Sequence, residues 1–245
     1  MNYLKKIFFG KIDGQLSGRP KSAVRVQIKN IQAVWNSEKY NDFGIERFLR
    51  LFLVSIQFIF PGLYIRELSG KVNTLTRKVC NEIYVILKIS LYLLALYVFP
   101  IFSWFSYLCI YLMAETMCYL LGLLFLETEY KKPASYKRNL LMALVNFGEI
   151  TLGFATIYYC SFKESIKLLS TPTDAVYFSF ISATTTGFGD MVPITGISKI
   201  VCVCQNIVSF LFAVFIIGIF ISNLNKNGYL NDKTDKSKRQ NEKNK

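Results

Sequence analysis

Residues 171–193 read Thr171-Pro-Thr-Asp-Ala-Val-Tyr-Phe-Ser-Phe-Ile-Ser-Ala-Thr-Thr-Thr-Gly-Phe-Gly-Asp-Met-Val-Pro193, and they lie between two long apolar runs, about 139–160 and about 194–223. The first part of the stretch is too short to cross a hydrocarbon core about 30 Å thick. Thr171 or Thr173 can cap a helix whose first turn holds Pro172 and Asp174, and the apolar body 175–183 supplies about three turns, enough to enter a membrane halfway. The carboxyl end of such a half-helix is the negative pole of its macrodipole, and at the membrane centre it favours a cation. The chain must then return to the surface within a few residues. Non-helical backbone at membrane depth is tolerated only where protein buries it or water fills a cavity, so the backbone of 184–190 is expected to face a pore. Gly187 and Gly189 admit left-handed dihedrals, and alternating them with ordinary residues turns consecutive carbonyls the same way.

The rest of the 245-residue chain fits a membrane setting, with 52% apolar residues, 21 Phe and 15 Tyr. From Ile83 to Leu126 it is apolar except around Phe99-Pro100-Ile101-Phe102-Ser103-Trp104, which is the length of two spans joined at an aromatic break. A helical hairpin is expected over 82–127, as 82–102 and 104–127. The last apolar run, at 1.5 Å per residue, reaches about 43 Å, longer than the core, and must tilt or protrude. Leu51 to Ile65 is broken by Pro61-Gly62 and flanked by Arg47, Arg50 and Arg66. Basic flanks on both ends disfavour crossing, so an interfacial or re-entrant helix on the cytoplasmic face, over about 46–65, is expected, with a fifth span as the competing reading.

Formal charge is +13, from 29 Lys and Arg against 16 Asp and Glu. Ten of the basic residues fall in 1–50, four in 65–81, four in 128–138 and seven in 223–245. This clustering is what cytoplasmic retention of those segments produces, and it displaces nucleic acid as a reading of the charge. Both termini are therefore expected inside, with a basic leader over 1–81, no cleaved signal peptide, and a disordered tail over 224–245. There is no His and no Cys-x-x-Cys, so zinc and His-dependent catalysis lack their parts, and the six cysteines read as small hydrophobes.

The run Thr184-Thr-Thr-Gly-Phe-Gly-Asp190, after a half-length helix, resembles the pore signature of potassium channels, in which backbone carbonyls replace the hydration shell of the ion. The likeness covers 139–223 in the order outer helix, pore helix, filter, inner helix. It implies an all-α, tetrameric potassium channel passing K+ down its gradient; residues 1–138 lie outside the likeness, and the two spans read there from hydropathy bring the expected total to four, in a protein of the cell membrane. The resemblance also implies that K+ is coordinated by carbonyls of Thr185, Thr186, Gly187 and Phe188 and the Thr185 hydroxyl, with Gly189 completing the filter and Asp190 at the mouth. Phe188 in place of Tyr removes a hydroxyl that would brace the filter from behind. Thr186 in place of Val or Ile adds a polar group there and puts the exclusion of Na+ in question. Where the family often has a hinge glycine the chain has Ser209. By the same spacing Phe210, Ala213, Ile217 and Ile221 would face the cavity and its exit, with a hydrophobic gate at Ile217 or Ile221. One strand cannot enclose an ion, so four identical chains around an axis are implied.

Gly187-Phe188-Gly189-Asp190 also satisfies the Gly-x-Gly-Asp pattern of intramembrane aspartyl proteases, but that chemistry needs a second carboxylate sharing a proton, and no other aspartate lies inside a span. No enzyme activity and no cofactor beyond permeant K+ is expected. Glu115 and Glu149 do lie within spans, and each is either functional or a protonated carboxyl bonded between helices, whereas Lys88 can snorkel. With only Lys88 and Glu115 charged inside the apolar run of the early hairpin, voltage dependence should be weak. No room is seen for a nucleotide- or calcium-binding regulatory domain after the inner helix, and the basic leader is expected to contact anionic lipid headgroups.

Overall fold

The computed structural model describes residues 20–36, 43–98, 104–125 and 136–226, the last eight and 123, 124, 136 and 137 by backbone only. The leader before residue 20, the aromatic break at 99–103, the connector at 126–135 and the tail after 226 lie outside the described residues. Among the described residues all regular elements are helical. Four helices are long and apolar enough to cross a membrane, Thr74–Tyr97, Trp104–Gly122, Arg138–Ser165 and Gly196–Gly218. The chain is an all-α, multi-pass membrane protein. It divides into two compact units, Met1–Val98 with Tyr107–Tyr130, and Phe99–Ser106 with Lys131–Lys245.

The first unit holds α1 (Ala23–Trp35), α2 (Gly44–Ile56), α3 (Pro61–Gly70), α4 (Thr74–Tyr97) and most of α5 (Trp104–Phe125). Ser22 caps α1 by accepting the Arg25 N–H. The Glu67 carboxylate of α3 accepts the N–H groups of Ala23 and Val24 at 2.5 and 3.2 Å and the Ser22 hydroxyl at 2.9 Å, so the open amino end of α1 is closed by a side chain from another helix. Val34 and Val54 bury the contact of α1 with α2, and the Gln27 amide donates to the Val54 carbonyl at 2.9 Å.

The interfacial or re-entrant helix expected over about 46–65 is two helices, α2 and α3, bent by 62°. Pro61 has no N–H with which to continue the first helix, and it opens the second as an N1 proline. Ile45, Phe48 and Phe52 leave an apolar stripe of α2 exposed.

α4 starts at Thr74, eight residues before the expected hairpin start at 82. The apolar run alone marks Ile83, but Asn73 caps the helix by accepting the Thr76 N–H at 2.8 Å, and this carries helix into the polar turn with Arg77 and Lys78. Lys88 does not snorkel. It is buried, donates to the Thr116 hydroxyl at 2.5 Å and stands 3.9 Å from Glu115. Glu115 in turn accepts the Gly62 N–H and the Tyr84 hydroxyl, both at 2.6 Å. Two donors and an ammonium around one carboxylate join α3, α4 and α5, and an ammonium with such partners within reach has no reason to extend to the interface.

The second unit is built on α6 (Tyr136–Phe162), a 3₁₀ turn at Lys163–Ser165, α7 (Pro172–Ala183) and α8 (Gly196–Lys226). α8 has 31 residues and exceeds the core thickness, as its apolar length implies. α6 backs both other helices. Tyr158 packs edge-on against Phe178 of α7 with ring centroids 5.0 Å apart, and Phe147 against Phe212 of α8 at 5.9 Å. Glu149, the other span carboxyl, is fully buried on α6.

Candidate functional site

The short helix α7 is set by its first four residues. Thr171, one of the two candidate caps, accepts the Asp174 N–H at 3.2 Å, and the Asp174 carboxylate returns to the Thr171 N–H at 2.7 Å, closing a capping box with Pro172 at the first helical position. The Ser170 N–H and hydroxyl add bonds to the same carboxylate at 3.0 and 2.8 Å. These bonds, that from the Thr171 N–H foremost, hold the Asp174 carboxyl at about 2, below its ordinary 3.8.

At the other end the last carbonyls of α7 are taken up by the next residues of the chain. Phe180 takes the Thr184 N–H at 3.0 Å, Ser182 takes that of Thr185 at 3.1 Å, and Ile181 takes those of Thr186 and Gly187 at 2.9 and 3.4 Å. Helix geometry stops there. Thr185, Gly187 and Gly189 have φ of 56°, 48° and 82°, while the residues between them do not enter the left-handed region. Such an alternation is open to glycine but costs a β-branched threonine about 1–2 kcal/mol. The sequence points only to the two glycines, and left-handed Thr185 carries no residue-type signal.

Among the described residues, the carbonyls of Thr185, Thr186, Gly187 and Phe188 accept no hydrogen bond. Residues 184–190 are all exposed in the single chain. A run of four unpartnered carbonyls on exposed backbone, held by the end of a half-buried helix, is a set of acceptors waiting for something else to satisfy them.

The side chains of the run are braced. The Thr186 hydroxyl lies 2.9 Å from that of Thr184, which also bonds to the Phe180 carbonyl at 2.9 Å, so the polar group added by Thr186 has a partner in its own chain. Phe188 stacks parallel to Tyr177 of α7, ring centroids 6.4 Å apart at 2°. The Tyr177 hydroxyl donates to Asp190 at 2.8 Å, and that bond raises the phenol above its usual range. Sequence reasoning does not single out Tyr177. It supplies from the helix the hydroxyl that Phe188 lacks, and the one signal for it is a tyrosine thirteen residues before Asp190 on an otherwise apolar half-helix.

Beyond Asp190 the return is pinned to the end of α6. The Lys167 N–H donates to the Val192 carbonyl and the Ile194 N–H to that of Ser165, both at 2.9 Å, forming an isolated bridge between Ile166 and Pro193. Thr195 caps α8 by accepting the Ser198 N–H, and the Ser198 hydroxyl bonds to the Ser165 carbonyl. On α8, Ser209 and Phe212 are buried, whereas Phe210, Ala213 and Ile217 lie on one exposed stripe. Ile221 lies on the same helix outside the residues whose side chains are described.

Residues 147–226, from within α6 to the end of α8, match the family model described as an ion channel. No curated protein matches the chain, and no solved structure does. The matched segment contains the whole site, from the capping box to the exposed stripe of α8, and the match points to an ion channel and not to an enzyme.

Proposed function

We propose that the chain forms a potassium-selective channel, four copies closing around an axis on which the segments 184–190 meet. The observation that carries this reading is the run of unpartnered carbonyls at Thr185, Thr186, Gly187 and Phe188 on backbone of alternating hand. Alternation of hand brings successive carbonyl oxygens to one side, and four such ladders offer a dehydrated monovalent cation a cage of oxygens in place of water. In this reading the Thr185 hydroxyl completes the inner end, Gly189 lets the chain leave the filter, and Asp190, held by Tyr177, lines the mouth. The exposure of the whole segment in one chain supports assembly, because a lone copy would leave these acceptors to bulk water. K+ is the permeant substrate and no resident cofactor is required.

The stripe of Phe210, Ala213 and Ile217 fits an apolar cavity wall below the filter, with Ile217 or Ile221 as the constriction. The basic clusters support a reading in which both termini face the cytoplasm of a cell-membrane protein and the leader meets anionic headgroups. The hairpin charges are engaged with each other, which leaves few to move in a field and supports weak voltage dependence.

Planar bilayers holding the purified protein, with K+ on one side and Na+ on the other, test the reading. A reversal potential close to that of a K+ electrode is expected. Equal permeation of the two ions, or no current from a protein that assembles, would overturn potassium selectivity.

A further inference from the structure

α8 buries one long polar side chain beneath the filter helix. Gln205 is 1% exposed, and its carboxamide is nearly saturated. Its oxygen accepts the Tyr158 hydroxyl of α6 at 2.7 Å, and its nitrogen donates to both the carbonyl and the hydroxyl of Ser179 on α7, each at 2.8 Å. The Ser179 hydroxyl then donates to the Thr151 carbonyl of α6 at 2.7 Å. Tyr158 and Ser179 are fully buried, so water does not compete for these bonds. The amide has one workable orientation, because a flipped Gln205 would set its oxygen against the Ser179 carbonyl, which can only accept.

The place of this network matters more than its strength. Ser179 lies one turn before Ala183, where α7 ends. The next three carbonyls, Phe180, Ile181 and Ser182, are those that hold the N–H groups of Thr184 through Gly187. Gln205 thus grips the last turn of the pore helix, and that turn sets the first half of the candidate filter. An apolar side chain at 205 would fill the space and leave the Ser179 hydroxyl with one partner fewer. Packing alone therefore does not call for a carboxamide here, at a site where an unmet polar group is costly.

We infer that Gln205 is a positioning residue for ion selection: through Ser179 it fixes the end of the pore helix, so the choice between permeant ions depends on a side chain of the inner helix. This rests on the channel reading above. A displacement of α8 that stretches the Gln205 bonds loosens the backbone of 184–187, and ion selection relaxes as the inner helix moves.

Bi-ionic reversal potentials of Gln205→Met, Ser179→Ala and the double variant, each as assembled channel, test the inference. Each single variant is expected to lower the K+ over Na+ permeability ratio about tenfold, a shift of about 59 mV for a monovalent ion. The double variant should fall no further than Gln205→Met alone, because that change already removes every bond from 205 to 179, whereas Ser179→Ala leaves the one to the Ser179 carbonyl. Phe212→Leu, on the same buried face but off the network, serves as the packing control: it should lower the melting temperature of the assembly while leaving the ratio within about twofold. Wild-type ratios in both Gln205→Met and Ser179→Ala would overturn the inference and leave the channel standing. Should Gln205→Met fail to assemble, Ser179→Ala decides alone. A wild-type protein that does not prefer K+ would instead remove the channel reading itself.

Discussion

Glu115 shows how far a single residue can be read from the sequence. Its place inside a span marks it as unusual, but its partners Gly62 and Tyr84 are 53 and 31 positions away, and periodicity does not bring them together. The structure does: one oxygen takes the Gly62 N–H, the other takes the Tyr84 hydroxyl, and Lys88 stands behind the second. Without the carboxylate the Gly62 N–H and the Tyr84 hydroxyl each lose an acceptor, and Lys88 loses its counter-charge while keeping its bond to the Thr116 hydroxyl. Removing one partner of a buried ion pair costs about 3–5 kcal/mol, chiefly because the other charge is left alone. Glu115→Leu and Lys88→Met should each destabilise the solubilised protein on that scale. The double variant should cost clearly less than their sum, without becoming neutral, since Gly62 and Tyr84 still lose an acceptor. Additive losses in denaturant unfolding would show that the two charges do not support each other.

Among the elements, α7 is the most legible, because its signals are local. Thr171, Pro172 and Asp174 announce its start within four residues, and the two glycines mark the non-helical backbone beyond its end. The start of α4 is less legible, because Asn73 extends a helix that hydropathy alone begins at Ile83. The Gln205 network is not legible at all, since it joins side chains 26 and 47 positions apart. The capping box of α7 also has a titration signature. The Asp174 carboxyl is held at about 2 against 3.8 when unconstrained, by the Thr171 N–H first and then by the Ser170 hydroxyl. A depressed folded value means that its contribution is complete above about pH 4, shrinks as pH falls from 3.8 toward 2, and is gone below that. The melting-temperature difference between wild type and Asp174→Asn should therefore be constant above about pH 4 and close between pH 4 and 2. A difference that stays flat through that window would mean that the carboxylate does not hold the helix start.

For the whole molecule, what could not be read is which face of α8 is packed and which is left open. The helix is apolar nearly all round, so hydropathy does not separate the side packed on α6 from the side left open. Exposure does: Ile200, Val203, Ile207, Phe210, Val214 and Ile217 are uncovered in one chain, as is the entire run 184–190. If four such runs share K+, the ion binds the assembled state and not separated chains, so mass action stabilises the assembly by about 2.7 kcal/mol when K+ exceeds its dissociation constant a hundredfold. The assembly should then resist heating better in K+ than in Na+ at equal ionic strength. Gly189→Ala should erase that difference: with φ at 82° a side chain strains the backbone whatever room surrounds it, and the cage loses its outer end. A four-chain complex with the same melting temperature in both salts would mean that the carbonyls are not the ion's ligands. Cross-linking that stops at two or three chains would mean that no closed cage forms.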